Sequence, residues 1–96
     1  MKPVRFLRPA EIELLDAAQY DELQAQGLGG EFLEKVESAL HDIRRSPERW
    51  PIIKHDIRRR LIHRFPYALL YRVDPDEIII QATMHLHRRA DYRHGR

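Results

Sequence analysis

The chain contains no cysteine, so it can form neither a disulfide nor a thiolate metal site. Small domains of oxidising compartments commonly depend on disulfides, and their absence favours the cytoplasm. Long apolar runs are also missing, and no segment approaches the roughly 20 apolar residues that a membrane span requires. The N-terminus has no long apolar run behind its first basic residues. The sequence therefore predicts a cytoplasmic protein that is neither secreted nor anchored in a membrane.

Length and composition limit the architecture to one domain. A chain of 96 residues has room for a single hydrophobic core, which excludes a second domain. Apolar residues make up 43% of the chain and charged residues 33%. This balance suffices to bury a core and is too apolar for a disordered polymer. We predict one domain that spans residues 1–96.

The charge of the chain is distributed unevenly. Residues 1–48 carry six basic and ten acidic side chains, whereas residues 49–96 carry eleven basic and five acidic ones. Five of the six histidines also lie in the second half. Two interpretations remain open. In the first, acidic residues are frequent in the helices and basic residues in the strands because of their structural propensities alone. In the second, the basic half presents a surface to a polyanion or an acidic protein.

The first half of the chain predicts a strand followed by two helices. An apolar run at residues 4–7 stands before a proline and predicts a strand. Residues 10–26 lack glycine and proline and predict a first helix, with a modest apolar stripe formed by Ile12, Leu15 and Ala18. The glycine-rich segment 27–30 predicts a reversal. A second helix up to Pro47 has one apolar face formed by Phe32, Val36, Ala39, Leu40 and Ile43.

The second half predicts strands. From Asp56 onward the apolar period changes to two, and breaks at prolines separate three segments at about residues 57–65, 67–73 and 77–87. Residues 51–55 are predicted to be a connector. Sequential strands with short links form an antiparallel meander, to which the N-terminal strand can add as a fourth. The expected fold is α+β: an antiparallel two-helix hairpin packed on a three- to four-stranded, mostly antiparallel sheet.

Three stretches of this sequence carry a resemblance to a known family. They are the second helix at residues 29–40, the central hairpin His63-Arg64-Phe65-Pro66-Tyr67-Ala68-Leu69-Leu70-Tyr71-Arg72-Val73, and His85-Leu86-His87-Arg88-Arg89 with Tyr92. With the order of elements, they resemble the RelE/ParE superfamily of bacterial type II toxin–antitoxin toxins. Within the superfamily, the residues of these stretches are most similar to the ParE-like branch, the plasmid stabilisation proteins. The likeness spans nearly the whole chain.

The resemblance implies a partner and a target. It implies a cognate antitoxin, normally encoded beside the toxin, whose C-terminal segment wraps the toxin and neutralises it. ParE-like members impair DNA gyrase, whereas RelE-like members cleave messenger RNA on the ribosome. The leading expectation is therefore a gyrase inhibitor, and the alternative is a ribosome-dependent mRNA endoribonuclease. A homodimer or a hetero-oligomer with the antitoxin remains open.

The residues available for catalysis weigh against the nuclease. Metal-independent RNA cleavage needs a base, an acid and cations that stabilise the charge at phosphorus. The candidates for these roles are His85, Arg88, Arg89 and Tyr92. RelE-like nucleases resemble one another in carrying an arginine directly after the hairpin aromatic, where this chain has Ala68 after Tyr67. Loss of one preorganised donor lowers the rate of such a reaction by roughly two to three orders of magnitude. A protein-binding inhibitor is therefore favoured over an enzyme.

A row of arginines is the candidate binding surface. Strand alternation places four side chains on one face, predicted to point to solvent: Arg58, Arg60, Ile62 and Arg64. These arginines, with Arg88 and Arg89, are candidates for contact with antitoxin or target. The alternative interpretation is a solvated strand face whose long stems cover apolar surface. His85 and His87 also share a face, but zinc requires three or four ligands, so neither a metal nor another cofactor is predicted.

Overall fold

The structure is a computed structural model that describes residues 1–87, in which two helices pack on one face of a five-stranded sheet. In chain order the elements are β1 (Val4–Phe6), α1 (Arg8–Gln24), α2 (Leu28–Arg45), β2 (Ile52–Lys54), β3 (Ile57–Leu61), β4 (Tyr67–Val73) and β5 (Ile78–His85). The strand order is β1-β5-β4-β3-β2, and only the β1–β5 pair is parallel. The predicted α+β class is confirmed.

The sheet has one strand more than predicted. Residues 52–54 form β2 rather than part of a connector, and all three are exposed. β2 pairs with Ile57 and Arg58 at the start of β3. A three-residue strand that buries neither face leaves no alternating pattern in the sequence, which is why it was missed. β3 is correspondingly shorter than predicted and ends at Leu61.

The reversal between the helices is tighter than predicted. Gly27 adopts the expected left-handed conformation, with φ 85°. Gly29 and Gly30 instead lie in the first turn of α2. The Glu22 carboxylate accepts hydrogen bonds from the backbone N–H groups of Gly27 and Gly29, at 2.9 and 3.0 Å. These bonds satisfy amides that a helix N-terminus leaves without an intrahelical acceptor.

The buried face of α1 differs from the predicted stripe. Ala18 is buried, but Ile12 and Leu15 are 44% and 55% exposed. The side that packs inward is formed by small or short side chains, namely Ala10, Ala17, Ala18 and Asp21. Small side chains let α1 lie close to its neighbours. Ile12 and Leu15 therefore face outward, whereas Leu14 packs against the core, which the apolar pattern alone did not reveal.

The core lies between the helices and the sheet. The predicted apolar face of α2 contributes Phe32, Val36, Ala39 and Ile43, while β4 contributes Tyr67, Leu69 and Tyr71. β1 and β5 add Val4, Phe6, Ile78 and Ile80. Alternation along β4 places Tyr67, Leu69 and Tyr71 on this one face. Within residues 1–87, no helix is long and apolar enough to cross a membrane.

A bulge in β5 is tied to α1. Leu70 pairs with Ala82 and Tyr71 with Ile80, so β5 carries one extra residue. Just beyond it, the Thr83 N–H donates to Glu13 Oε1 at 2.9 Å and the Thr83 hydroxyl donates to the Ala10 carbonyl at 3.1 Å. Side chains on α1 and β5 thus provide partners for buried polar groups of the other element, and the helix is fixed on the sheet.

Candidate functional site

Two of the predicted binding arginines face the helices instead of solvent. Arg58 lies directly opposite Tyr71 on β4, and Arg60 lies opposite Leu69. Side chains that are directly opposite in a sheet share one face, and Tyr71 and Leu69 are buried in the core. The prediction of a solvent-facing row is therefore wrong for Arg58 and Arg60, and also for Ile62, which is buried. Alternation was assigned correctly, but the face of the sheet was not.

Arg58 holds the loop that follows α2. Its Nη1 donates to the backbone carbonyls of Glu48 and Trp50, at 2.9 and 2.8 Å. The same loop is held by Tyr71, whose hydroxyl donates to the Pro47 carbonyl at 2.6 Å. Burial raises the pKa of Tyr71 to about 12. Both side chains therefore have a structural role in fixing the chain between α2 and β2.

Arg60 connects α2, β3 and the tryptophan of the same loop. Its Nη2 lies 2.7 Å from Asp42 Oδ2, and its side chain is 16% exposed. The hydrogen bond from Arg60 lowers the pKa of the Asp42 carboxyl. The guanidinium also lies over the Trp50 ring, 4.6 Å from its centroid, while that of Arg49 lies 4.9 Å from it. The charge of Arg60 is thus largely compensated within the fold.

Arg64 differs from the other two in exposure and backbone conformation. It lies in the turn between β3 and β4, closed by a hydrogen bond of 3.2 Å from the Phe65 N–H to the Ile62 carbonyl. Its φ of 71° places it in the left-handed region at the third position of the turn, where glycine is favoured. The side chain is exposed and forms no ion pair or hydrogen bond with another residue of the described chain. Of the described arginines predicted to bind a partner, Arg64 alone remains available.

A groove beside this turn collects further basic side chains. It lies between α2 and the end of β3 and is lined by Lys35, Ser38, Arg60, Leu61, Ile62, His63 and Arg64. Sequence reasoning missed Lys35 because it stands among glutamates on a helix, far along the chain from the arginines. Its position on the half-buried flank of α2, three residues after the buried Phe32, was the available signal. We take this basic groove as the candidate functional site.

Of the predicted catalytic residues, His85 is the one that lies within the described residues. His85 packs edge-on against Tyr67, with ring centroids 4.9 Å apart, and its Nδ1 accepts the His87 N–H at 3.0 Å. His85 is therefore part of the aromatic packing at the end of the sheet. Arg88, Arg89 and Tyr92 lie outside the described residues. Residues 1–87 contain no group of three or more side chains that could hold a metal ion.

Ala68 occupies a closely packed apolar position. It lies on β4 between Leu61 of β3 and Met84 of β5 and is 0% exposed. Its alternation with Tyr67 and Leu69 places it on the sheet face away from the helices. The residue that the nuclease resemblance would require to be arginine therefore has two apolar cross-strand neighbours, of which Leu61 is 47% exposed.

The comparisons with known proteins agree with this architecture. A strand, a helical hairpin and an antiparallel meander are also the fold of a chain described as "Chromosomal ParDE TA system from P. aeruginosa". That chain matches with a TM-score of 0.73 and 18% identity, over 90% of this chain and 97% of its own length. The family model described as "ParE toxin of type II toxin-antitoxin system, parDE" matches residues 4–92, and this chain belongs to that family. No curated protein matches it.

Proposed function

We propose that a cognate antitoxin neutralises this toxin and that the toxin acts by binding and inhibiting DNA gyrase. The observation that carries the proposal is the family match, which extends over residues 4–92 and names the ParE toxins. The resemblance to ParE-like proteins implies gyrase as the target. Because gyrase works on chromosomal and plasmid DNA, the proposed site of action is the cytoplasm.

The environment of Ala68 supports inhibition by binding rather than RNA cleavage. Between Leu61 and Met84, position 68 carries a methyl group in place of the guanidinium that the nuclease resemblance requires. A nuclease site depends on preorganised cations around the transferred phosphate. The fold supplies no such cation at this position. His85 is engaged with Tyr67 and the His87 amide, which leaves it poorly placed as a proton carrier.

A two-arm assay with purified toxin tests the proposal. In the first arm, the toxin is titrated into a plasmid supercoiling reaction with gyrase. In the second, it is added to a translating extract in which the messenger RNA is followed by primer extension. We expect loss of supercoiling with intact messenger RNA, and recovery of supercoiling when the antitoxin encoded by the neighbouring gene is added.

The opposite pattern would refute the gyrase proposal. Cleaved messenger RNA together with undisturbed supercoiling would identify a ribosome-dependent nuclease. The variant Arg88→Ala with Arg89→Ala then serves as the control, because cleavage that disappears in it would assign the charge-stabilising role to the C-terminal arginines. A protein that is inert in both arms would also contradict the proposal.

A further inference from the structure

A small hollow lies at the C-terminal end of α2, apart from the basic groove. It is lined by Asp42, Arg45, Ser46 and Arg49, and we call it the arginine hollow. Its volume is about 110 Å³, against about 540 Å³ for the basic groove. Among the described residues, no apolar side chain lines it. A space of this size and polarity suits a single small anionic group better than an apolar side chain.

The arginine hollow keeps positive charge that the fold does not neutralise. Its acidic residue, Asp42, pairs with Arg60 at 2.7 Å. The side chains of Arg45 and Arg49 form no ion pair or hydrogen bond with another residue in the part of the chain that the structure describes. Ser46 is exposed, and its hydroxyl is available as a further donor. Two guanidinium groups and a hydroxyl around one space match the oxygens of a phosphate.

The loop after α2 holds Arg49 beside the last turn of the helix. The Arg49 N–H donates to the Ser46 carbonyl at 3.1 Å, which turns the chain back toward α2. The Arg49 guanidinium lies 4.9 Å from the centroid of the Trp50 ring, whose face attracts a cation. Arg58 and the Tyr71 hydroxyl fix the same loop through its backbone carbonyls. A cation held in this way loses less conformational entropy when it binds an anion.

We propose that the arginine hollow binds a phosphate of the DNA backbone, so that the toxin contacts the duplex as well as the gyrase that holds it. The inference rests on the proposed function, since gyrase is the partner that would bring the duplex to the toxin. Arg45, Arg49 and the Ser46 hydroxyl donate to the phosphate oxygens. Contacts to the backbone carry no sequence information, so binding does not depend on the DNA sequence.

The surroundings favour a duplex backbone over a protein or an unpaired base. Protein partners are anchored by apolar and aromatic side chains in pockets, whereas the described lining of the arginine hollow is polar and charged. Interfaces with DNA are more polar and more positively charged than those between proteins. The Trp50 ring is not open to base stacking, because the guanidinium groups of Arg49 and Arg60 lie over it, 4.9 and 4.6 Å from its centroid.

Arginines at the end of a helix also have a structural explanation. Arg44 and Arg45 both lie in the last turn of α2, where the helix dipole favours positive charge. Arg44, however, lines a different hollow together with Glu34 and Glu37, whereas Arg45 lines the arginine hollow. The two neighbours are therefore equivalent for the helix and different for a bound phosphate. Arg44 is the matched control.

The test measures DNA binding by the full chain in the absence of gyrase. Labelled duplexes of about 20 base pairs, in two unrelated sequences, are titrated with the toxin in fluorescence anisotropy at several salt concentrations. We expect the two sequences to bind with equal affinity. Affinity should fall linearly with salt on a double logarithmic plot, because phosphate contacts release counterions.

Variants locate the binding site. Arg45→Gln and Arg49→Gln should each weaken DNA binding roughly threefold, the effect of removing one exposed charge contact. Each should also reduce the slope of the salt plot by about one, because one phosphate contact is lost. Arg44→Gln removes the same charge from the same turn and should leave the slope unchanged. All three side chains are exposed, so the melting temperatures should differ little and loss of binding cannot be ascribed to unfolding.

Competitors and the control decide against the proposal if it is wrong. Polyglutamate or inorganic phosphate that displaces the duplex at an equal concentration of negative charge would assign the arginine hollow to an acidic protein or to a free anion. Equal effects of Arg44→Gln and Arg45→Gln, a preference for one sequence, or no DNA binding would also overturn it. The anisotropy assay contains no gyrase, so its failure is distinguishable from a failure to inhibit supercoiling.

Discussion

Single arginines of one strand and its turn have different roles, and their partners explain why. Arg58 and Arg60 are directed toward the helices and are used by the fold, the first on two carbonyls and the second on Asp42 and Trp50. Arg64 lies in the turn after β3, so it does not point toward the helices as Arg58 and Arg60 do. Replacing Arg58 or Arg60 therefore tests stability first, and replacing Arg64 tests binding.

The buried phenol of Tyr71 leads to a prediction about alkaline pH. The variant Tyr71→Phe should lower the free energy of unfolding by about 1 kcal/mol at pH 8, because the Pro47 carbonyl loses its donor. In the folded state burial raises the pKa of Tyr71 from 10.0 to about 12. The folded state thus holds the phenol proton more tightly than the unfolded state. This contribution is complete below pH 10 and is lost as the pH rises toward 12.

Urea unfolding of both proteins at pH 8 and at pH 11 measures this effect. The advantage of the wild type over Tyr71→Phe should shrink between the two pH values, because only the wild type loses stability through this group. An advantage that stays constant would show that the phenol does not titrate with the predicted shift.

At the scale of elements, the helical hairpin depends on the absence of a side chain at one position. A Cβ at Gly29 would lie 2.5 Å from the Ala18 carbonyl oxygen, a backbone atom that cannot move without displacing α1. A Cβ at Gly30 would have no heavy atom within 4 Å. A side chain is therefore excluded at Gly29 and tolerated at Gly30, although the sequence pattern does not distinguish these adjacent glycines.

These glycines give a matched pair of variants. Gly29→Ala should destabilise the protein by about 1–3 kcal/mol, the usual cost of overpacking. Gly30→Ala should stabilise it by up to about 1 kcal/mol, since alanine has the higher helix propensity. Chemical denaturation of the two purified variants measures both effects. Changes of the same sign would contradict the close approach of the helices at Gly29.

At the scale of the whole molecule, ion pairs join α2 to β3 and β1 to the start of β5, and a third pair is local to the end of β4. Arg60 contacts Asp42 across α2 and β3, Arg5 contacts Glu77 between β1 and the start of β5, and Arg72 contacts Asp74 at the end of β4. In each pair the hydrogen bond from the arginine lowers the pKa of the carboxyl. The three carboxyls therefore give up their protons more readily in the folded protein.

Acid should consequently weaken the fold. A carboxyl whose folded pKa is lowered contributes stability above its unfolded pKa, about 4, and loses it as the pH falls through the folded value. We expect the melting temperature to fall as the pH is lowered from 5 to 2. Asp42→Asn should lower the free energy of unfolding by less than about 1 kcal/mol at neutral pH, as is typical of accessible ion pairs. In this variant the melting temperature should also fall less between pH 5 and pH 2 than in the wild type. A melting temperature independent of pH in this range would refute the assignment.

The resemblance of three stretches was enough to predict the family, and periodicity and punctuation along the chain were enough to predict the α+β class and the apolar face of α2. Each is a local property, because a repeat of two or 3.6 residues shows directly which side chains lie together. Arg64 could be selected in the same way, since it belongs to a recognisable hairpin segment.

Tertiary structure decided which faces are buried and which charges are compensated. The inward side of α1, the orientation of Arg58 and Arg60, and the addition of Lys35 to the groove depend on elements far away in the chain. Asp42 neutralises Arg60, and Glu13 satisfies the Thr83 amide, through contacts that no local spacing encodes. Only the packed sheet and helices bring such groups within hydrogen-bonding distance, so only the fold separates structural arginines from those available to a partner.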